Sequence, residues 1–202
     1  MIQGRGAPQT GPSRERGRAS KHRILEATVR LCIKQHQTDA SVAQIAREAE
    51  VFPNQVTYHF GSKDSLLVQA AFLGLLRDAR RVERVGRRSR DPEAFRRNIA
   101  RAVLAMPSLP AVTRALASAI AQPDLADLVD SRLQVLFRQS ERFLAQTLQA
   151  HDWRTTRPVA VEVRTFWSAA LGAVLLVRAG THGDPTELDL AGTLTVQKAL
   201  TP

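Results

Sequence analysis

Between residues 54 and 63 the chain carries a dense run of side chains that can hydrogen-bond to a nucleic acid. The amides of Asn54 and Gln55 can each pair with an adenine edge through two hydrogen bonds, and Thr57 can meet a base polar group or a thymine methyl. Tyr58 and Lys63 suit phosphate oxygens, which set the register of a protein on DNA without reading its sequence. These residue types in one short segment predict binding to double-stranded DNA.

Two short helices are predicted to present these side chains. Ser41 followed by Gln44 is a capping box that starts the first helix, and Pro53 suits the first position of the second. Ala46 supplies the small residue that two closely crossing helices need. The apolar residues expected to face inward are Val42, Ile45, Ala46, Ala49, Val56 and Phe60. This pattern is typical of a helix-turn-helix.

The stretch from Ile24 to Leu67 resembles the DNA-binding domain of the TetR family of repressors. The matching segments are ILEATVRLC, SVAQIAREAEV and VTYHFGSKDSLL, and the run Tyr58–Lys63 is the most specific part. The resemblance implies an all-α fold, in which an N-terminal three-helix helix-turn-helix domain precedes a larger helical ligand-binding and dimerisation domain, with about nine helices. By the same resemblance, the residues that touch DNA are Gln44, Asn54, Gln55, Thr57, Tyr58, His59 and Lys63.

Three of these residues have alternative interpretations. His59 could pack at the end of its helix, and Gln44 could be wholly occupied as a capping partner. Lys63 could be a solvated lysine, but a cation at a helix N-terminus opposes the helix dipole, which favours a phosphate partner.

Two positions depart from the pattern of the family. Glu50 stands where many members have glycine, and a left-handed backbone there would cost a non-glycine residue roughly 1–2 kcal/mol. Phe52 stands where many have a serine-type cap, the loss of which costs about 1 kcal/mol. Phe52 could instead pack locally or against DNA. Both departures predict an unusual turn between the two helices.

The charge distribution agrees with a nucleic-acid partner at the N-terminal end. The chain has 202 residues and a net charge of +10, of which residues 1–64 carry +4, residues 65–101 carry +6 and residues 102–202 carry none. Three regions are predicted: a disordered basic arm at 1–19, the helix-turn-helix domain at 20–66 with its first helix from Ser20, and a helical effector-binding and dimerisation domain at 67–202. The arm could lie in a minor groove or be merely a soluble terminus.

The C-terminal domain is expected to hold a pocket for a small-molecule effector. Its inward surface is mainly apolar, which favours a lipophilic or amphiphilic molecule. The candidate wall residues are Phe95, Met106, Leu116, Phe137, Phe143 and Trp167, each of which could equally be plain core. Arginines along the fourth helix could be solvated or could attract an anionic ligand or DNA. They are Arg77, Arg80, Arg81, Arg84 and Arg88.

The last two helices are expected to pair with a second copy into a dimer interface. The predicted final helix is Thr186–Leu200, with a stripe formed by Leu188, Leu190, Leu194 and Val196. Its partner helix would contribute Phe166, Trp167, Ala169, Ala170, Gly172, Ala173 and Leu176. The alternative is a monomeric core, because the same pattern makes any buried helix. A palindromic operator favours the dimer.

Other classes of protein are disfavoured by what the sequence lacks. The five histidines do not cluster with carboxylates at metal-ligand spacing, and no catalytic or nucleotide-binding motif occurs, so we expect no enzyme, no metal and no cofactor. The single Cys32 favours a cytoplasmic location and an inert thiol on the core face, with redox sensing as the alternative. The longest apolar stretch, Ala169–Val177, is short for a membrane span, and no signal peptide is expected.

The sequence therefore predicts a TetR-like transcriptional regulator, most simply a repressor, that binds a palindromic operator as a dimer and is released by a small-molecule effector. Two alternatives stay open. One is a regulator of the same fold that is controlled by a protein partner, and the other is a nonspecific architectural DNA-binding protein.

Overall fold

Helices dominate the described part of the chain, which comprises residues 12–34, 40–180 and 189–199 of a computed structural model. The eight α-helices found there are α1 (Pro12–Val29), α2 (Val42–Glu48), α3 (Pro53–Phe60), α4 (Lys63–Gly86), α5 (Pro92–Leu104), α6 (Leu109–Ala121), α7 (Ala126–His151) and α8 (Val159–Arg178). Helix α1 continues as a π-helical turn at Arg30–Lys34, and 3-10 turns occur at Pro123–Leu125 and Ala191–Thr193. The strands β1 (Trp153–Arg154) and β2 (Gln197–Lys198) pair antiparallel. The predicted all-α fold is confirmed, with eight helices in the described residues rather than about nine.

Helices α1, α2 and α3 enclose a small core of their own. Ile24, Ile45, Val56 and Phe60 are buried in it, and Leu66 from the start of α4 closes it. The residues expected to face inward from α2 and α3 therefore do so, with Val42 partly buried. The ion pair of Arg30 with Glu48, at 2.9 Å, ties the end of α1 to α2 at the surface.

The first helix begins at Pro12 rather than at Ser20. The prediction of a disordered arm over residues 1–19 is therefore wrong for residues 12–19, whereas residues 1–11 lie outside the described residues. Proline is favourable in a first turn, and the carboxylate of Glu15 there complements the helix dipole. The added turns also have a packing partner, because a Cβ built at Gly17 would lie 3.9 Å from Cε1 of His59 in α3.

Helix α4 connects the N-terminal helices with the rest of the protein. A Cβ built at Gly74 would lie 2.2 Å from Cδ1 of Ile33 and 3.3 Å from Cβ of Ser108, so only glycine allows the observed approach of three segments. Arg77 donates to Glu26 of α1, with one N–O distance of 2.8 Å. Further along α4, the buried Asp78 accepts a hydrogen bond of 2.7 Å from the hydroxyl of Ser108, before α6.

The C-terminal half of α4 packs with α5 to α8 around a second, larger core. This core includes Phe72, Phe95, Leu109, Leu136 and Trp167, all buried. The start of α5 is as predicted. Asp91 is the N-cap, its carboxylate accepting a hydrogen bond of 2.8 Å from the backbone N–H of Ala94, and Pro92 is the first helical residue.

The final segment is not the helix that the sequence predicts over Thr186–Leu200. Residues 189–199 form the 3-10 turn, an extended stretch and β2, while residues 186–188 and 200 lie outside the described residues. Leu190, Leu194 and Val196 are buried in the larger core of their own chain. They therefore cannot form the predicted stripe of a dimer interface, and Leu188 lies outside the described residues.

A buried carboxylate fixes this final segment onto α8. Glu162 is fully buried and accepts hydrogen bonds from Nε of Arg157 at 2.8 Å, from the hydroxyl of Thr195 at 2.5 Å and from the backbone N–H of Thr195 at 2.9 Å. Burial by itself would raise the pKa of this carboxyl, but the hydrogen bonds from Arg157 and Thr195 together outweigh it and hold the pKa below the ordinary value. The extended path of residues 194–198 thus adds the two hydrogen bonds of Thr195 to the ion pair that Glu162 makes with Arg157.

Helix α8 has one face inside the protein and one face outside it. Phe166, Trp167, Ala170 and Ala173 are buried in their own chain, so the prediction that they lie in a dimer interface is wrong. Its exposed large apolar residues are Val161, Leu175, Leu176 and Val177, of which the first three lie on the outer face. By length and apolar composition alone α8 could cross a bilayer, although 33% of its most apolar 18-residue stretch is buried inside the protein.

Candidate nucleic-acid interface and interior cavity

The capping box at Ser41 determines where the first helix of the helix-turn-helix begins. The backbone N–H of Gln44 donates to Oγ of Ser41 at 3.2 Å, and the backbone N–H of Ser41 donates to Oε1 of Gln44 at 2.7 Å. The capping role of Gln44 is therefore real and occupies its oxygen. Its amide nitrogen has no partner among the described residues, and the side chain is exposed. Gln44 can thus cap the helix and still donate outward.

The turn after α2 is a Schellman motif with glutamate where glycine is usual. The backbone N–H of Val51 donates to the carbonyl of Ala46 at 3.0 Å, and that of Glu50 donates to the carbonyl of Arg47 at 3.1 Å. This arrangement needs a left-handed residue at position 50, and Glu50 indeed has φ of +54°. The predicted strain at this turn is therefore present in the backbone.

Replacing Glu50 with glycine is expected to raise the free energy of unfolding by about 0.5–1 kcal/mol, because relief of the left-handed strain outweighs the greater freedom of glycine in the unfolded chain. Chemical denaturation of both proteins measures the difference. Asp152→Gly is the matched control, since Asp152 has φ of +53° but a short polar side chain that tolerates this region. A gain at position 50 no larger than that at position 152 would contradict the assignment of strain.

Helix α3 presents several of the predicted DNA-contacting residues to solvent. Asn54 and Thr57 are exposed, and Tyr58 is 84% exposed. Gln55 differs from the prediction, because it is half-buried and its Oε1 is buried without a hydrogen-bond partner among the described residues. The structure therefore favours Asn54 and Thr57 over Gln55 as base-reading candidates.

His59 lies partly under its neighbours at the end of α3. Its ring meets that of Tyr58 edge-on, with centroids 5.0 Å apart. Burial, followed by the positive charge of Lys21, lowers the pKa of His59 below the ordinary value. A neutral imidazole is thereby favoured at neutral pH, which suits hydrogen bonding more than attraction of a phosphate charge. His59 thus packs partly against its neighbours at the end of the helix, as the alternative interpretation predicted.

Lys63 and Phe52 stand at opposite ends of α3. Lys63 is the first residue of α4, after the N-cap Ser62, and makes no ion pair within the described chain. Its ammonium is therefore available to a phosphate. Phe52 precedes α3 without a side-chain capping bond and is 76% exposed, so it does not pack locally. An exposed phenylalanine beside an exposed Tyr58 agrees with a surface that another molecule covers.

Part of the predicted basic arm is helical and forms the first turns of α1. Arg18 and Lys21 are exposed on α1, and Nζ of Lys21 lies 5.4 Å from the ring centre of Phe60 in α3. Lys21 therefore places positive charge beside the recognition helix. The signal for the earlier start of α1 was available in the sequence, because Pro12 followed by Glu15 is a helix start.

The residues proposed to line an effector pocket do not all meet. Phe95, Phe143 and Trp167 line one interior cavity of about 60 Å³ between α4, α5, α7 and α8, together with Phe166 and Leu194. Pockets for small molecules usually measure about 300–1,000 Å³, so this cavity is closed to all but the smallest ligands in the conformation observed. Sequence reasoning missed Leu194, because that residue was assigned to a dimer interface.

The other three candidates lie elsewhere. Met106 is buried at a separate depression between α4 and α5, beside Val82 and Pro107. Leu116 and Phe137 are half-buried against the larger core, and Phe137 lies beneath the guanidinium of Arg164 at 5.6 Å. The structure therefore gives these three residues no place in the cavity that Phe95, Phe143 and Trp167 share.

The arginines of α4 are also divided rather than forming one row. Arg77 pairs with Glu26, and Arg81 pairs with Asp78 at 3.1 Å. Arg80 instead faces a groove between α4 and α7.

Comparisons with known proteins agree with this architecture. Residues 24–70 match the family described as bacterial regulatory proteins of the TetR family, and residues 92–195 match the bacterial transcriptional repressor C-terminal family. No curated protein sequence matches the chain.

Solved structures with the same fold come from several bacteria. A candidate transcriptional regulator from Rhodococcus sp. RHA1 superimposes with a TM-score of 0.72 at 28% identity, covering 86% of this chain and 93% of its own. A candidate TetR-family regulator from Mesorhizobium loti gives a TM-score of 0.60 at 15% identity, with 88% and 92% covered. A candidate regulator from Saccharomonospora viridis in complex with choline gives 0.54 at 16% identity, with 86% and 92% covered.

Proposed function

Because the chain belongs to the TetR family of bacterial transcriptional regulators, we propose that it is a repressor that binds an inverted-repeat operator as a dimer. The observation that carries this proposal is the exposed polar face of α3, with Asn54, Thr57 and Tyr58 outermost. Lys63 follows at the start of α4 and makes no ion pair within the described residues. Exposed amide and hydroxyl groups suit base edges, and the lysine suits phosphate. An inverted repeat follows from a dimer with two recognition helices.

The dimer would form through the outer face of α8. Val161, Leu175 and Leu176 are exposed on this face, and a Cβ built at Gly172 would meet nothing within 4 Å, so a second helix can approach closely there. An exposed apolar patch of this kind usually marks an interaction site. The matched C-terminal family and the fold support this assignment.

The interior cavity beside Phe143 and Trp167 would admit a small-molecule effector after it enlarges. The neighbour from Saccharomonospora viridis, whose structure contains choline, supports small-molecule binding in this fold. The mainly apolar lining of the cavity favours an effector with an apolar portion. We place the site of action in the cytoplasm, where the operator is.

Selection of binding sites from random duplex DNA tests the proposed function. The full chain is expected to enrich one inverted repeat and to bind it about 10³-fold or more tightly than random DNA at one stated salt concentration. Equal affinity for random DNA would instead identify a nonspecific architectural protein. The same selection with Asn54→Ala or Thr57→Ala is expected to relax the preference at one base pair of each half-site, at a cost of about 1–3 kcal/mol of discrimination.

Lys63→Ala is the contrasting variant in that experiment. It is expected to weaken binding to selected and random sequences alike and to reduce the salt dependence, because a phosphate contact carries no sequence information. Unchanged site preference in both α3 variants would show that sequence is read elsewhere. A change of base preference in Lys63→Ala would contradict its phosphate role.

A further inference from the structure

A groove on the outside of the effector domain carries an unusual density of unpaired positive charge. It measures about 550 Å³ and lies between α4 and α7, with Arg80 and Arg87 on one side and Arg138 and Arg142 on the other. This volume falls within the range of about 300–1,000 Å³ that small-molecule sites usually occupy.

One carboxylate in the groove neutralises only part of that charge. Glu83 accepts a hydrogen bond of 2.8 Å from Nε2 of Gln139, and a guanidinium nitrogen of Arg87 lies 4.0 Å from its other oxygen. Arg80, Arg138 and Arg142 are exposed and have no ion pair within the described residues. Like charges gathered without counter-ions repel one another, so the groove is suited to an anion.

DNA is not the anion that this groove suits. Helix α4 starts at Lys63 beside the recognition helix, and at 1.5 Å per residue Arg80 and Arg87 lie about 26 and 36 Å further along the helix axis. A duplex held by α3 therefore lies well away from the groove. A small molecule bound to the effector domain is the remaining partner for this charge.

The floor of the groove is also a wall of the interior cavity. Phe143 lines both spaces, with the guanidinium of Arg87 5.4 Å from its ring centre and Phe95 6.2 Å away. Glu83 borders both spaces as well. Rotation of a single aromatic ring would therefore join the cationic groove to the apolar cavity that contains Phe95 and Trp167.

We propose that the groove binds the head of an amphiphilic anion, a phosphate or carboxylate joined to an apolar chain, and that the chain enters the interior past Phe143. The four guanidinium groups hold the head, and the apolar cavity of about 60 Å³ must enlarge to receive the chain. This inference rests on the proposed function insofar as the ligand is taken to be the effector that releases the operator, but binding itself can be measured without DNA.

Decyl phosphate, kept below its micelle concentration, is a suitable probe for calorimetry with the DNA-free protein. We expect one site per chain and binding at least about tenfold tighter than that of three control ligands. Decanol lacks the anionic head, inorganic phosphate lacks the apolar chain, and decyltrimethylammonium carries a positive head instead of a negative one. Trp167 fluorescence should change with decyl phosphate and not with inorganic phosphate, because Trp167 lines the cavity. Equal affinity for decanol would overturn the proposal.

Two double variants that each remove two positive charges test where the anionic head binds. Arg138→Gln with Arg142→Gln is expected to weaken decyl phosphate binding by about tenfold or more, whereas Arg84→Gln with Arg88→Gln, on α4 and just after it but outside the groove, should change it less than about threefold. Thermal unfolding of both confirms that they fold. Equal weakening by the two pairs would overturn the groove assignment.

Operator release is measured separately. Displacement of the selected operator by decyl phosphate from wild type, but not from the Arg138/Arg142 variant, would support the role as effector. If decyl phosphate binds in the groove but does not release the operator, the binding site is supported and ligand-controlled release is contradicted. The experiment therefore distinguishes an error in the proposed binding site from an error in the proposed function.

Discussion

Replacing Glu162 with alanine is expected to lower the free energy of unfolding by about 1.5–3 kcal/mol, because the hydroxyl and backbone N–H of Thr195 lose a charged acceptor, whereas Arg157, with its side chain 35% exposed, can be hydrated. The carboxylate is fully buried and is the acceptor for Arg157 and for both donors of Thr195. Without it, residues 189–199 lose their attachment to α8, and Leu194 loses its place beside the interior cavity. Urea denaturation and hydrogen exchange of that segment measure the two effects.

Two companion variants separate the charge from the site. Glu93→Ala removes a carboxylate that is 67% exposed and should change stability by no more than about 0.5 kcal/mol. Glu162→Gln keeps one acceptor oxygen and should lose less stability than Glu162→Ala.

The stabilisation by Glu162 is also expected to depend on pH. The folded-state pKa of Glu162 lies below the ordinary 4.5, so its ionised form stabilises the fold fully above that pH, and the contribution is lost as pH falls through the folded-state pKa. The difference in the free energy of unfolding between wild type and Glu162→Gln should therefore become smaller on acidification. A difference that does not change with pH would contradict this.

Leu175→Glu is expected to disrupt the proposed dimer, with a rise in the dimer dissociation constant of at least about a hundredfold. Leu175 is 55% exposed on the outer face of α8, and burying one unpaired charge from each chain costs several kcal/mol. Operator affinity should fall as well, because one recognition helix reads only one half-site. Sedimentation equilibrium and titration with the selected operator measure the two consequences.

Ile120→Glu is the matched control for that substitution. Ile120 is 86% exposed and lies near the end of α6 rather than on α8. The control adds the same charge at an exposed apolar position and should leave both dimerisation and operator binding close to wild type. Dimerisation that persists in Leu175→Glu, or that is lost equally in Ile120→Glu, would place the interface elsewhere.

The sequence by itself determined the elements whose signals are local. The capping box of Ser41 with Gln44, the helix start at Pro53 and the cap at Asp91 each act within three or four residues, so they can be read without knowledge of the fold. The strain at Glu50 was predictable for the same reason, since a left-handed turn residue is a property of the adjacent helix end. The exposed positions of Asn54 and Thr57 followed from the period of α3.

Errors occurred where distant residues decide the local conformation. Leu190 and Leu194 have a spacing that suits a helix, yet the buried Glu162, about thirty residues earlier, draws Thr195 into an extended path. The start of α1 was placed too late because composition outweighed the helix-start signal at Pro12. Its added turns lie near α3, since a Cβ built at Gly17 would come within 3.9 Å of Cε1 of His59, and this proximity cannot be predicted from neighbouring residues.

The candidate sites show the same division. Residue type and helical period identified the face of α3 that presents Asn54 and Thr57, because that face belongs to a short run of chain. Which aromatic residues share a cavity depends on how α4, α5, α7 and α8 cross, so Phe95, Phe143 and Trp167 meet while Phe137 does not. The arginine groove likewise needs α4 and α7 side by side, since Arg80 and Arg138 are far apart in sequence. Hydrogen bonds between residues a few positions apart can be predicted from the sequence, because the residues that make them are adjacent in the chain. Contacts between side chains distant in sequence depend on how the helices pack.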